Sequence, residues 1–290
     1  MYSKPVAIKE RDKIKNSNFN DTPNDINWES FWQKKLSQKR KKPKNWNKEA
    51  EKFAKRSKQD EYRENLFSKM RISKKDTILD LGCGEGSITI PLAEKGKKVT
   101  AVDSSSKMLE ILNKKATDKN LKNIEIIKEN LEEVTLEKVG KHDIVLLSRS
   151  INGIYSIKET LNNINNIAQK YVYITVTGPN NSKFERNFYG SINKKINKLH
   201  LDSRSYSYLF NILINMKIYP NLENLEIKTN RIYDSIEDAI NNGRWNLDNL
   251  TKNEKNQLYD YLNKNLRKNE NGKLENPDDK SDWVLIWWKK

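Results

Sequence analysis

The stretch Asp76–Leu109, DTILDLGCGEGSITIPLAEKGKKVTAVDSSSKML, restricts the fold more than any other part of the 290-residue chain. Its apolar run TILDLG (Thr77–Gly82) reads as a short buried strand, and Gly82, Gly84 and Gly86 follow at alternate positions. A tight strand-to-helix turn favours residues without a Cβ, and the bare backbone lets a ligand come close. Ser87–Lys95 then reads as a helix, and KVTAVD (Lys98–Asp103) as a second strand ending on an acid. Strand, glycine turn, helix and strand in this order belong to a parallel sheet whose ligands sit at the carboxyl ends of its strands.

The same alternation continues downstream. SSKMLEILNKKATDKN (Ser105–Asn120) reads as a helix with Ser105 or Ser106 as its N-cap, and Met108, Leu109 and Leu112 facing inward. IEIIKEN (Ile124–Asn130), HDIVLLSRS (His142–Ser150) and YVYITVTG (Tyr171–Gly178) read as strands three to five, with a helix over Ser156–Gln169. After Gly178 the pattern loosens. Helices are expected over 182–199 and 206–216, a sixth strand over Asn224–Asp234, a helical stretch over Ile236–Leu266, and a final strand in DWVLIWWKK (Asp282–Lys290). Ahead of the glycine motif, residues 1–25 carry no apolar pattern and read as a mobile arm. Residues 26–75 read as a basic helical extension in which Trp28, Phe31 and Trp32 form one stripe. Residues 76–290 then form the main domain, with accessory helices near 180–217 and 235–267.

The carboxyl ends of the strands carry Asp80-Leu-Gly82-Cys-Gly84-Glu-Gly86, Asp103-Ser104, Glu129-Asn130-Leu131 and Ser148-Arg149-Ser150. The Asp103 carboxylate can accept two hydrogen bonds from a ribose diol. A nicotinamide or flavin loop needs G-x-G-x-x-G, whereas this one alternates, and no G-K-[ST] follows for a P-loop. Asp80 opens the loop with a carboxylate, which repels a pyrophosphate and attracts an amino-acid ammonium.

On these residues the segment ILDLGCGEGSITIPLAEKGKKVTAVDSSSKML, continued through IEIIKENLEEV, resembles the cofactor motifs of class I S-adenosylmethionine-dependent methyltransferases. The resemblance implies a doubly wound, Rossmann-like seven-stranded α/β sheet, mostly parallel with an antiparallel last strand. N-terminal helices and helical insertions after strands five and six would flank it. It places the Gly82, Cys83, Gly84 and Gly86 backbone against the methionine and ribose portions, with Asp80 near the ammonium. Asp103 would take the ribose hydroxyls, with Ser104 beside it. Asn130 and Leu131 would hold the adenine, and Ser148 would lie beside the sulfonium. As a whole the chain resembles uncharacterised methyltransferases of anaerobic archaea and bacteria (type 11/25-like), through SFW near its start, SRS after strand four and LIWW near its end. NWNKEAEKFAKR (Asn45–Arg56) also resembles the helix that lids the cofactor in small-molecule members, with Trp46, Ala50 and Phe53 as its contacts.

The acceptor side carries fewer signals. SRSING after strand four is not the N-P-P-Y or D-P-P-Y of amino-methylating nucleic-acid enzymes, and the two-cysteine arrangement of cytosine-C5 enzymes is missing. Cys83 reads as a small apolar filler of the loop. Arg149 could bind an acceptor carboxylate or phosphate bidentately; Arg186 and Arg204 carry the same reading. Tyr155, Tyr189 and Tyr206 could line an acceptor pocket. His200 is a catalytic candidate beside Arg149 and Tyr155, while His142 sits at the amino end of its strand, away from the chemistry.

Composition limits the remaining classes. One cysteine and two histidines exclude a disulfide framework and speak against a Cys/His zinc site, so no metal is expected. No stretch approaches the roughly 18 apolar residues of a membrane span, and no secretory core is seen, so a soluble cytoplasmic protein is expected. Of the net charge of +16, most lies in Lys34–Lys75, where 17 Lys/Arg face five acids. That segment could dock RNA or an acidic protein, or be a solvated helical surface. Three functions follow: methylation of a small-molecule or cofactor-like acceptor, methylation of RNA or protein docked by the basic segment, and a non-catalytic S-adenosylmethionine-binding assembly protein.

Overall fold

The computed structural model describes residues 26–37, 45–56, 60–179, 183–192, 205–228, 231–243, 245, 247–277 and 280–290. The arm over 1–25, the basic run 38–44, His200, Arg204 and the side chain of Phe53 lie outside this described part.

Near-continuous apolar runs make strands buried on both faces, as a parallel sheet requires. β1 (Thr77–Leu81), β2 (Lys98–Asp103) and β4 (His142–Ser148) are mostly buried, and β3 (Ile124–Lys128), at an edge, only partly. With β5 (Ala168–Thr177), β6 (Asn221–Lys228) and a last strand, β10 (Lys280–Lys289), they form a seven-stranded sheet in the order β3-β2-β1-β4-β5-β10-β6. Every pairing is parallel except those of β10, which runs antiparallel between β5 and β6. This is the expected fold.

Helices cover both faces. Between the strands lie α4 (Thr89–Lys95), α5 (Ser106–Asp118), the short α6 (Leu136–Val139), α7 (Ile157–Ile167) and α9 (Ser205–Asn215). On one face Leu161 and Ile164 of α7 and Leu209 and Leu213 of α9 pack against Val145, Val172 and Ile286. On the other, Leu92 of α4 meets Ile78, Val99 and Ile144. Among the described residues, three helices ahead of β1 spread over these layers. α1 (Trp28–Ser37) buries Trp32 in the first, and its indole N–H donates to Ile154 O at 2.7 Å. α2 (Trp46–Arg56) lies on α5. α3 (Asp60–Lys69) packs Tyr62 and Leu66 into the second.

The carboxyl-terminal insertions depart from the sequence reading. The expected sixth strand, 224–234, is two: β6 pairs with β10, while β7 (Ile232–Tyr233) joins β8 (Arg267–Lys268) and β9 (Leu274–Glu275) in a separate sheet of order β7-β9-β8. The expected helical stretch over 236–266 is also broken, into α10 (Ile236–Asn242) and α11 (Lys252–Asn265). A capping box between Thr251 and Glu254 starts the second. Helix α8 (Lys183–Ser191) adds Phe184, Phe188 and Tyr189 to Tyr233, Ala239, Leu250, Leu258 and Leu262, which makes a distinct accessory core. Among the described residues, β5 leads into α8, β6 leads into β7, and β9 is followed by β10, all at the edge of the main sheet where β5 and β6 end and β10 begins.

Candidate active site

That same edge gathers the carboxyl ends of β1, β2 and β4. Gly82 N and Cys83 N donate to Val102 O at 2.8 and 3.0 Å, which folds the loop over the end of β2. Gly82 takes a left-handed φ of +75°, and an added Cβ would overlap the Ser150 side chain. Ser150 in turn donates to Leu81 O at 2.6 Å, so the segment after β4 pins the segment after β1. Gly84, at φ +54°, differs: a Cβ there would meet nothing within 4 Å, so its backbone borders open space.

Asp103 links the two loops. Its Oδ2 accepts from Gly84 N at 2.9 Å and its Oδ1 from Ser105 N at 2.8 Å. A carboxylate offers about four lone-pair directions, so two remain for a diol. Ser104 beside it is exposed. Ser105 caps α5 by accepting from Met108 N, and its hydroxyl donates to Asn47 Oδ1 at 2.7 Å. Asn47 also accepts from Lys107 N at 3.2 Å. α2 is thereby latched onto the start of α5, next to Asp103, with Ala50 fully buried and Trp46 41% exposed.

Asp80 is 1% exposed at the end of β1. Burial pushes its carboxyl up to about 7; the Thr89 hydroxyl, donating at 2.7 Å, counters this and the Asp103 charge adds to it. A buried carboxyl so perturbed is stabilised as an anion by a cation. Burial, with the Asp80 and Asp103 charges, pushes the Cys83 thiol up, so it stays neutral. Glu85 points inward and pairs with Lys115 of α5, anchoring the loop from below. Asn130 accepts from Glu132 N at 3.3 Å and caps a short turn, and Leu131 packs against the main core near Gly82. Glu132 also accepts from the amides of Tyr155 and Ser156.

At the end of β4 the structure adds Tyr62 and Thr175, which sequence reading missed, to the expected Ser148 and Arg149. The Tyr62 hydroxyl lies 2.7 Å from both Ser148 Oγ and Thr175 Oγ1. Arg149 N donates to Thr175 Oγ1 at 2.9 Å. The Arg149 guanidinium lies 4.2 Å over the Tyr62 ring and 5.8 Å from that of Trp283. Tyr62 is fully buried, and burial raises its phenol pKa against the pull of Arg149 and its two hydroxyl partners. The signal was there in part: Tyr62, Leu66 and Met70 share one helical stripe.

Other sequence candidates fall elsewhere. Tyr155 is 54% exposed on the loop after β4. Tyr189 is buried in the accessory core, its ring against that of Phe188. Tyr206 packs on the main core, and Arg186 donates to Pro179 O at 2.6 Å. His142 is buried at the opposite edge beside Thr100, its pKa lowered by burial. Among the described residues no group of three His, Cys, Asp or Glu could hold a metal, and no helix is long and apolar enough to cross a membrane.

A family model described as a methyltransferase domain matches residues 72–265, two thirds of the chain. The chain belongs to this methyltransferase family. With its sheet order and its glycine loop, it is a class I S-adenosylmethionine-dependent methyltransferase. The methyltransferase is 27% identical over 250 residues to an uncharacterized protein of Haemophilus influenzae, covering 85% of this chain and 89% of that one. It is 32% identical over 131 residues to an rRNA adenine N-6-methyltransferase of Bacillus licheniformis, a match that spans 43% of this chain and 44% of that enzyme. Its fold is similar to that of a putative methyltransferase of Bacillus halodurans, with a TM-score of 0.50 and 16% identity, over 79% and 98% of the two chains.

The residues at the edge fit this cofactor. Open space beside Gly84, spare acceptor capacity on Asp103 and a buried, perturbed carboxyl at Asp80 suit backbone approach, a diol and an ammonium respectively.

Proposed function

We propose that this methyltransferase modifies a small-molecule or cofactor-like acceptor, held between the carboxyl edge of the sheet and the accessory unit. The observation that carries the reading is the common origin of the two. The accessory unit follows the carboxyl ends of β5 and β6 and precedes β10, at the edge where the glycine loop, Asp103 and Ser148 lie.

S-adenosylmethionine supplies an electrophilic methyl group on a sulfonium. Asp80 holds the amino-acid end, the Gly82–Gly86 backbone with Cys83 lies along the methionine and ribose, and Asp103 takes the hydroxyls with Ser104 at its flank. Asn130 and Leu131 border the adenine, and Ser148 faces the reacting end. Asn130 keeps one lone pair for the adenine amino group while its other caps the turn. α2, latched by Asn47, shields the ribose end from water. Methyl transfer is an in-line displacement, so alignment and exclusion of water supply much of the rate.

The test offers methyl-tritiated S-adenosylmethionine to the low-molecular-weight and the macromolecular fractions of a cell extract. Label in a small product supports this reading, and label confined to RNA or protein overturns it. The second reading is such a macromolecular acceptor, docked by the Lys34–Lys75 segment; its 17 basic residues against five acids favour it, as does the partial match to an rRNA methyltransferase. Phosphate contacts would then make binding fall steeply with salt.

A further inference from the structure

We propose that Arg149 is the specificity residue of the acceptor site, and that the acceptor carries an organic anion, a carboxylate or a phosphate, on a part remote from the atom that is methylated. The proposal rests on the small-molecule reading above.

Three observations support it. Arg149 adopts φ +61°, a conformation that non-glycine side chains rarely take, and it does so one residue after Ser148. Such backbone is strained and persists where its surroundings hold it, most often at functional positions. Here the Thr175 hydroxyl accepts the Arg149 amide, and the same Thr175 is bound to the Tyr62 hydroxyl. Second, the guanidinium is seated on aromatic rings. It lies over the face of Tyr62, which packs edge-on against Trp283 at 5.8 Å. Stacking engages the faces of a guanidinium, while its in-plane N–H fork is the part that matches a carboxylate or phosphate. Third, the seat is displaced from the cofactor loop. In the sheet, β1 with its glycine loop lies on one side of β4; β5 and β10, which carries Trp283, lie on the other. Neighbouring strands are about 4.8 Å apart, so β10 is about 10 Å from β4. A group bound at the Arg149 fork is thus on the far side of Ser148 from the donor. It serves as a handle and keeps its charge in the product.

The acceptor pool is the low-molecular-weight fraction of a cell extract, with methyl-tritiated S-adenosylmethionine as donor. The labelled small product should be retained on an anion exchanger. Treatment with alkaline phosphatase separates the two sources: loss of retention marks a phosphate, and unchanged retention a carboxylate. With that purified pool, Arg149→Gln should raise the acceptor concentration for half-maximal rate by about 10- to 100-fold, the loss of a bidentate charged contact. Arg149→Lys, which keeps the charge without the fork, should fall between. S-adenosylhomocysteine affinity, measured by calorimetry, should stay within threefold in both and so reports an intact fold; if Arg149→Gln loses it, Arg149→Lys alone is read. A small labelled product that passes through the exchanger, or variants with unchanged acceptor dependence, overturns the inference and leaves the small-molecule reading standing. Label confined to macromolecules overturns both.

Discussion

Raising the pH across neutrality should tighten cofactor binding through one residue. Asp80 is buried at the end of β1 and its carboxyl sits at about 7. Roughly one molecule in ten then carries the negative charge near pH 6, and roughly nine in ten near pH 8. If only the ionised form holds the ammonium, the apparent dissociation constant is the intrinsic one divided by the ionised fraction. Affinity should therefore be about tenfold weaker near pH 6 than near pH 8, about 1.4 kcal/mol. Binding near pH 6 should also release close to one proton, and near pH 8 almost none. Calorimetry with S-adenosylhomocysteine, in buffers of differing ionisation enthalpy, reads both quantities. Asp80→Asn should bind weakly at every pH and lose the profile. The ligand-free protein should show the opposite trend in stability. Its folded state holds a proton that the unfolded chain has released, so stability falls as pH rises from about 4 towards 7. A flat affinity profile without proton release, or the same profile in Asp80→Asn, would refute the assignment.

Two further perturbations bear on separate contacts. Asp103→Asn keeps the shape but removes the charge and half the acceptor capacity that serve Gly84 N, Ser105 N and the ribose; S-adenosylhomocysteine should bind about 100-fold more weakly, and a loss below threefold would remove Asp103 from the site. Tyr62→Phe leaves the ring under Arg149 but deprives Ser148 and Thr175 of a buried hydroxyl partner; urea unfolding should report a loss of about 1–3 kcal/mol, and a change under about 0.5 kcal/mol would show that the network contributes little.

The donor half of the site was legible because its determinants are local. Three alternating glycines, Asp80 before them and Asp103 at the next strand end are close in sequence, and the bond from Gly84 N to Asp103 joins neighbouring strand ends. The acceptor half is not local. Tyr62 meets Ser148 across 86 positions and Thr175 across 113, and a tyrosine in a helix gives no sign of which strand end it will reach. Strand pairing explains the other misses. Asn224–Asp234 looks like one run, but Leu225 has Trp283 as its partner while Tyr233 has Leu274, so the chain leaves one sheet and enters another. The break in the helical stretch at Gly243 is closed by Trp245, whose indole N–H donates to Ala239 O at 3.0 Å; that contact has no periodic signature.

The aromatic seat of Arg149 divides the molecule's inheritance. Tyr62 and Trp283 both fall outside residues 72–265, the part this chain shares with its family model, whereas Asp80, Gly84 and Asp103 all fall inside it. The donor loop and Arg149 itself lie within the matched part, while the rings that seat Arg149 come from flanking elements. On the proposed role of Arg149, substitutions at Tyr62 or Trp283 would re-aim its guanidinium while the donor loop stays untouched. Two relatives with the same glycine loop therefore need not share a substrate, and the residues opposite Arg149 are the place to compare them.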